Sequence, residues 1–517
     1  MKKNFWAFFF MVFFLFPSHS VQAFSLAHTQ KSTVYKFLEP LFRAMGYREF
    51  KVHVYDQETG ISLENAVVMM GEENWSKTDQ DGNVSFDGFT LPQGPLTITA
   101  AHKDYSRYTI FDTEATSLNI PISPLTLEHP KSTLHGEFTG WPPIEDHDGI
   151  VDVGFVLPFV DIVSLVNFSS EKLVAPYVKA HIYKDVYVPG NLIMPDQEER
   201  YFIFPVYLSK PTYQMPFTVG SQQNLIALSG QLPFSKMANG FINKEPLSKL
   251  LNLVSINQLG FIQNLSIPNQ NTTLDIPLSY TLKPKFNVTV NNPPQNTEII
   301  YVATGFFKDN PNALFPLDFK MNGREDKAKT GALKSLGASN LFPPLQEMIL
   351  TVAADLSQNS GSKKRDTSIV GSIKRPLDTN PIYINSFSNP IDLSQAEPLN
   401  QFSYQERYPS AQPIASHLSI SFIQIAQKGT ENKKGTAKTW WTVVAPSQVK
   451  EFKLPTLPQD LSKMPPLAPD QSLEWTVNVF GLNENNYIFD YDNLNSTILA
   501  QNLTHFSMNT MNIAPVP

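Results

Sequence analysis

Short runs of β-branched, aromatic and aliphatic residues, cut every few positions by Gly, Asp, Asn or Pro, recur along this chain from residue 51 almost to its end. Runs of that length bounded by turn formers predict strands. In the first part they fall at 51–55, 65–70, 83–86, 96–101, 108–111 and 118–122, a density that predicts a sandwich. A second group covers 151–157, 177–187, 201–208, 225–232 and 273–280, and a third 286–290, 298–307, 347–353 and 367–373. The last covers 418–425, 439–444, 473–480 and 505–511, with a proline-rich crossing over 455–469. Helical spacing is confined to two places. One is residues 29–45, and the other is 241–254, where Asn243-Lys244-Glu245-Pro246 leads into Leu247, Leu250, Leu251 and Val254. The apolar stretch 150–168 carries Asp152, Pro158 and Asp161 and predicts two buried strands with a bend.

The fold class expected is therefore all-β, with several sandwich domains in tandem and few helices. A chain of 517 residues exceeds what one core supports. The expected division is a signal peptide 1–23, a helical lead 24–47, a first sandwich 48–125 and a second β-rich domain 126–285 containing a short helix. A third β-rich domain with long loops covers 286–415, and a C-terminal sandwich covers 416–517. Proline, 41 of 517 residues, suits strand ends, edges and loops, because it cannot donate within a central ladder.

Lys2 and Lys3, the apolar run 5–16, Pro17 and the small exit Val21-Gln22-Ala23 have the charge, core and cleavage order of a secretory signal, with cleavage expected after Ala23. The chain contains no cysteine, so there are no disulfides and no thiol to carry a lipid. Export without disulfides points to a bacterial envelope, with the protein periplasmic or secreted. No transmembrane segment is expected in the mature chain. The net charge of −7 argues against nucleic acid as a partner.

One segment carries a family resemblance. Val52-His53-Val54-Tyr55, the polar turn Asp56 to Gly60, Ala66 ahead of Val67-Val68-Met69-Met70, and the Asp81-Gly82 turn are followed by Leu91-Pro92-Gln93-Gly94 and His102-Lys103-Asp104-Tyr105. This pattern resembles the carboxypeptidase regulatory-like, transthyretin-like β-sandwich over residues 48–125. The family commonly has glycine just ahead of the tyrosine, where this chain has Asp104. The resemblance implies architecture and is nearly silent about function. Related pilin-type sandwiches place an isopeptide-forming lysine on an early strand. The corresponding position here is Val54 or Tyr55, so no such bond is expected.

Catalytic signatures are sparse. No histidine opens a His-x-x-Glu or His-Glu-x-x-His pattern, which argues against a zinc peptidase. The best metal-ligand set is His129, His135, His147, Asp146 and Asp148, close to Glu137 and Glu145. Its alternative is a polar loop capping the second domain. Asp79 and Asp81 form half a calcium loop without the glutamate that would complete it, and Asp490, Asp492 and Asn493 form another acidic loop. Ser169-x-x-Lys172, Ser360-x-x-Lys363 and Lys329-Thr330-Gly331 match pieces of the penicillin-binding signature, in polar stretches that do not suit it. Trp75, Trp141, Trp440 and Trp441 are candidate surfaces for stacking sugars or anchoring a protein. Trp440 and Trp441 are adjacent in an expected strand, so their side chains should alternate between its faces.

No cofactor is expected. These features point to an exported, non-catalytic envelope or secreted protein that binds a protein or glycan partner. Two alternatives stand beside it: a secreted hydrolase acting on carbohydrate or peptide, with its site in 126–285, and a structural component of an envelope assembly.

Overall fold

A computed structural model describes residues 48–88, 91, 94–113, 115–141, 150–166, 175–179, 187–193, 196–197, 207–208, 212–294, 297–336, 344–354, 367–375, 381–385, 387, 391–394, 401–406, 418–429, 438–446, 449, 451–458, 461, 471–482 and 503–513. The expected signal peptide and the helix over 29–45 lie outside them. The described chain is all-β, and its helices are three short ones. None is long and apolar enough to cross a membrane.

The first region contains β1 (Arg48–Asp56), β2 (Val67–Met70), β3 (Asn74–Lys77), β4 (Asn83–Gly88), β5 (Leu96–Ala101), β6 (Arg107–Thr113) and β7 (Ser117–Ile122). All six expected strands are present, and β3 is an addition. β1 lies at the centre of a three-stranded sheet, antiparallel to β4 and parallel to β7. Its alternate residues Val52 and Val54 are buried in one core with Ile98 and Ile110 of the facing sheet, because successive side chains point to opposite faces. Gly82 turns the chain into β4 at φ +73°, and a Cβ there would stand 2.6 Å from the Val54 carbonyl oxygen.

The second region contains β8 (Lys131–Thr139), β9 (Ile150–Pro158), α1 (Ile162–Val166), β10 (Tyr177–Lys179), β11 (Tyr187–Pro189), β12 (Leu192–Ile193), β13 (Asp196–Gln197), β14 (Tyr207–Leu208), β15 (Thr212–Thr218) and β16 (Gln222–Pro233). It continues with α2 (Phe234–Ile242), α3 (Leu247–Leu251), β17 (Ser255–Ser266), β18 (Thr272–Thr273), β19 (Ile276–Pro277) and β20 (Tyr280–Thr281). A five-stranded sheet in the order β12-β9-β16-β17-β20 packs against a sheet in which β15, β18 and β19 all pair with β8. The stretch 150–168 departs from the two-strand expectation. β9 is followed by α1, whose start is held by Asp161: its carboxylate accepts the Ser164 amide at 2.7 Å and the Ser164 hydroxyl at 2.8 Å. α3 matches the expected helix, with Leu250, Leu251 and Val254 buried.

The third region contains β21 (Lys283–Val290), β22 (Glu298–Phe307), β23 (Asn310–Asn322), β24 (Thr330–Ser335), β25 (Leu345–Ala354), β26 (Thr367–Lys374) and β27 (Ile382–Ile384). The fourth contains β28 (Ile391–Ser394), β29 (Gln401–Glu406), β30 (Leu418–Gly429), β31 (Lys438–Pro446), β32 (Glu451–Lys453), β33 (Gln471–Leu482) and β34 (Leu503–Ile513). Lys329-Thr330-Gly331, expected in a polar stretch, leads into β24 with Lys329 buried, its ammonium donating to the Gly323 and Arg324 carbonyls.

One sheet of twelve strands runs through three of these regions, in the order β23-β22-β25-β26-β34-β33-β30-β31-β6-β5-β2-β3. The first and fourth regions meet where β31 pairs in parallel with β6, Trp441 to Val444 against Arg107 to Ile110. Side chains reinforce that seam. Trp441 Nε1 donates to Thr109 Oγ1 at 2.9 Å, Arg107 Nη2 to the Leu461 carbonyl at 2.9 Å and Lys438 Nζ to the Leu125 carbonyl at 2.8 Å. One face of the sheet packs on β1 and β21 with their neighbours, and the other is covered by Ile391, Tyr404, Leu454, Leu457 and Leu461.

Candidate functional site

The metal-ligand set does not assemble in the described structure. Residues 129–139, expected as a loop, contain β8, whose burial alternates along the strand. His135 lies on its exposed face, 2.9 Å from Thr273 Oγ1, whereas His129 points into the first region, 2.6 Å from Asp56 Oδ2. His147, Asp146 and Asp148 lie outside the described residues. Among the described residues no three His, Asp or Glu side chains form a group able to hold a metal ion. The half calcium loop has a structural explanation: one oxygen of Asp79 accepts the amides of Asp81 at 3.0 Å and Asn83 at 2.8 Å, closing the turn around Gly82.

Asp56 engages four partners. It is buried at the end of β1. Oδ1 accepts the amides of Glu58 at 2.7 Å and Thr59 at 3.0 Å, and Oδ2 accepts the Tyr105 hydroxyl at 2.8 Å and faces His129. Burial, followed by the bond to Asp56, pushes the Tyr105 hydroxyl well above its ordinary pKa, so it stays a donor. Beyond it, Glu58 Oε2 accepts the Thr218 hydroxyl at 2.9 Å. The turn after β1 thus joins the first region to the second. Asp104 accepts the Leu125 amide on its carbonyl at 2.8 Å and the Thr126 hydroxyl on its carboxylate at 3.1 Å.

A serine and a histidine meet on the outer face of β1. His53 Nε2 lies 3.0 Å from Ser62 Oγ, and the imidazole also bonds the Asn119 side chain. Burial lowers the His53 pKa, against weaker raising effects of Asn119 and the Asp79 charge, so the ring is neutral at neutral pH. The pair has the base and orienting group that acyl transfer requires. The adjacent backbone donors are already engaged, Leu63 N with the Val54 carbonyl at 2.9 Å and Gly82 N with the Asp79 carbonyl at 3.0 Å. These residues lie on three separate segments, so no sequence spacing announces them.

The tryptophans divide. Trp440 and Trp441 are core residues, each 4% exposed, and this corrects the expectation of a binding surface. The pairing of β30 with β31 shifts register between Ile425 and Ala426, so Trp440 is an extra residue in a β-bulge. Both rings enter the same core, with centroids 5.4 Å apart. Trp141 is half-buried against Phe138, at 5.3 Å between centroids. Trp75 is 55% exposed.

Trp75 stands on β3, the last strand of the twelve-stranded sheet, opposite Met69. Thr78, just beyond β3, turns both its backbone groups toward the β2 side: its amide donates to the Ala66 carbonyl at 2.9 Å and its carbonyl accepts from Asn65 at 3.0 Å. Backbone groups alternate along a strand, so those of Trp75 and Lys77 point away from the sheet. The opposite edge strand, β23, is engaged at two places. Leu314 exchanges both backbone bonds with Val160 at 2.6 and 2.7 Å, and the Asn252 amide bonds the Met321 carbonyl at 2.6 Å and amide at 2.9 Å.

No protein-family model matches the chain, and no curated protein does. Solved structures that align with it include the shaft pilin spaA from Lactobacillus rhamnosus GG, at 7% identity over 45% of this chain and 96% of that one, with a TM-score of 0.13. The minor pilin GBS52 from Streptococcus agalactiae aligns at 9% identity over 46% of this chain and 98% of that one, with a TM-score of 0.16. A streptococcal ancillary pilin aligns at 6% identity over 65% and 98%, with a TM-score of 0.12. Superpositions at these scores carry no argument about what this chain does.

Proposed function

We propose that this protein works by binding: it is an exported, non-catalytic component of a bacterial cell envelope that engages a protein partner through the open end of its largest sheet. The observation that carries the reading is the contrast between the two edges. On the β23 edge the outward backbone groups of Leu314 and Met321 are taken up by Val160 and Asn252, while among the described residues none pairs with the outer side of β3, which offers the groups of Trp75 and Lys77 beside a half-exposed indole. An unpaired edge is a template for strand addition. Within this reading the first region is a carboxypeptidase regulatory-like, transthyretin-like sandwich. Its seven strands, the buried Ala66 and the Gly82 turn support the assignment, and the leader read from residues 1–23 supports export.

A glycan stacked on Trp75 is an alternative use of the same surface. The second reading, a hydrolase, is favoured by the Ser62–His53 bond in the first region. It is the weaker one, because the neighbouring amides of Leu63 and Gly82 are already bonded and an oxyanion needs preorganised donors.

Paired variants separate the readings. Photo-crosslinking of the intact protein in envelopes should give a specific protein adduct that Trp75→Ala abolishes and His53→Gln preserves, with both variants folded. A glycan adduct lost on Trp75→Ala would replace the protein partner with a sugar. Loss on His53→Gln, with Ser62 labelled by an acylating probe, would favour the hydrolase.

A further inference from the structure

The chemistry around β3 narrows the partner, given that β3 is a binding edge. The strand is bracketed by acid. Glu72 and Glu73 stand in the turn before it and Asp79 and Asp81 in the turn after it, all exposed, and Glu64 is exposed on the adjoining loop. The one exposed cation among residues 60–88 is Lys77. A strand added here meets carboxylates at both ends, which attract a basic segment and repel an acidic one at close range. The apolar requirement sits on one face. Trp75 pairs across the strands with Met69, which is 2% exposed and belongs to the core that also buries Trp441 and Trp475. The apolar face of the sheet therefore continues to the open edge and ends at the exposed indole.

We propose that the occupant of this edge is an extended basic peptide segment of a protein partner. Its backbone exchanges hydrogen bonds with the N–H and C=O groups of Trp75 and Lys77. One of its aliphatic or aromatic side chains rests on the Trp75 ring, and its lysines or arginines face Glu72 and Glu73 at one end and Asp79 and Asp81 at the other. Strand addition obtains its affinity from main-chain bonds and its selectivity from alternate side chains. Here that selectivity is for positive charge. Because Coulomb attraction between exposed groups is screened by salt, the preference weakens as ionic strength rises.

The test uses the whole mature chain and three synthetic peptides of equal length, alternating valine with lysine, serine or glutamate. Binding is followed by anisotropy of a label on the peptide. The lysine peptide is expected to bind at least tenfold more tightly than the glutamate peptide at low salt. Glu72→Lys/Glu73→Lys leaves three acids against three lysines around β3 and is expected to abolish most of that preference. Lys77→Pro, which removes an outward N–H and leaves the β2–β3 bonds intact, and Trp75→Ala should each weaken the lysine peptide at least tenfold, with circular dichroism unchanged. Equal binding of all three peptides, lost on Lys77→Pro, overturns the basic partner and leaves the binding edge standing. Failure of every peptide to bind, or binding indifferent to Lys77→Pro and Trp75→Ala, overturns the edge itself.

Discussion

Asp56 shows how a residue read from sequence as a turn former becomes the joint between two regions. Its place in a polar turn was legible, because Asp accepts amides two and three positions on. Its partners were not, because Tyr105 and His129 lie 49 and 73 positions away. A buried carboxylate with four partners is costly to lose. Asp56→Ala leaves its donors unpaired and is expected to destabilise the chain by about 1 to 3 kcal/mol, read as a lowered urea midpoint with an unchanged slope. Tyr105→Phe, which leaves the carboxylate its other partners, should cost about 1 kcal/mol. His53 gives a pH dependence. Its folded pKa lies below its ordinary value of 6.5, so the unfolded chain takes up a proton first as pH falls. The stability it contributes is present above pH 6.5 and is lost as pH falls from 6.5 through the folded value. His102 is lowered in the same sense, so the test is a difference: thermal midpoints of wild type and His53→Gln should converge below that window and diverge above it.

Strands were legible in proportion to their apolar content. β1, β5 and β22 carry the alternation or the continuous apolar run that defines a half-buried or buried strand. β3, with the sequence Asn-Trp-Ser-Lys, has neither and exists because β2 offers it a ladder. β8 was hidden by its outward residues His135 and Glu137, which gave it the look of a polar loop. The bulge at Trp440 inverted the expected facing of the tryptophan pair, since one extra residue shifts every side chain beyond it. Glycines inside strands record a related constraint. Gly371 on β26 pairs with Phe506 on β34, and a Cβ at Gly371 would fall 2.0 Å from the phenyl ring. The ring lies over the bare backbone, as when an aromatic covers a strand glycine. Gly371→Ala should therefore destabilise the chain by about 1 to 3 kcal/mol through overpacking, and Gly371→Ala/Phe506→Leu should recover part of that loss in a double-mutant cycle.

At the scale of the molecule, regions far apart in sequence share one sheet. The seam between β6 and β31 joins residues more than 300 positions apart, including the Trp441–Thr109 bond. Local periodicity cannot announce such a pairing, so tandem sandwiches are legible in the sequence and their junctions are not. Because the first, third and fourth regions are hydrogen-bonded through β26–β34 and β31–β6, they are expected to unfold as one cooperative unit. Calorimetry of Thr109→Val/Trp441→Phe should then lower the main transition as a whole; a separate early transition for residues 48–125 would show that the seam does not couple them. This continuous sheet is held at its β23 edge by Val160 and Asn252, and among the described residues none pairs with the outer side of β3. Hydrogen exchange of the isolated mature chain tests this arrangement most directly. Amides of Trp75 and Lys77 should exchange at rates near those of unstructured peptides, while Thr442 and Thr109 within the seam and Leu314 and Met321 on β23 stay protected. Slow exchange at Trp75 and Lys77 in the isolated chain would mean that the edge is already covered, and would contradict the account.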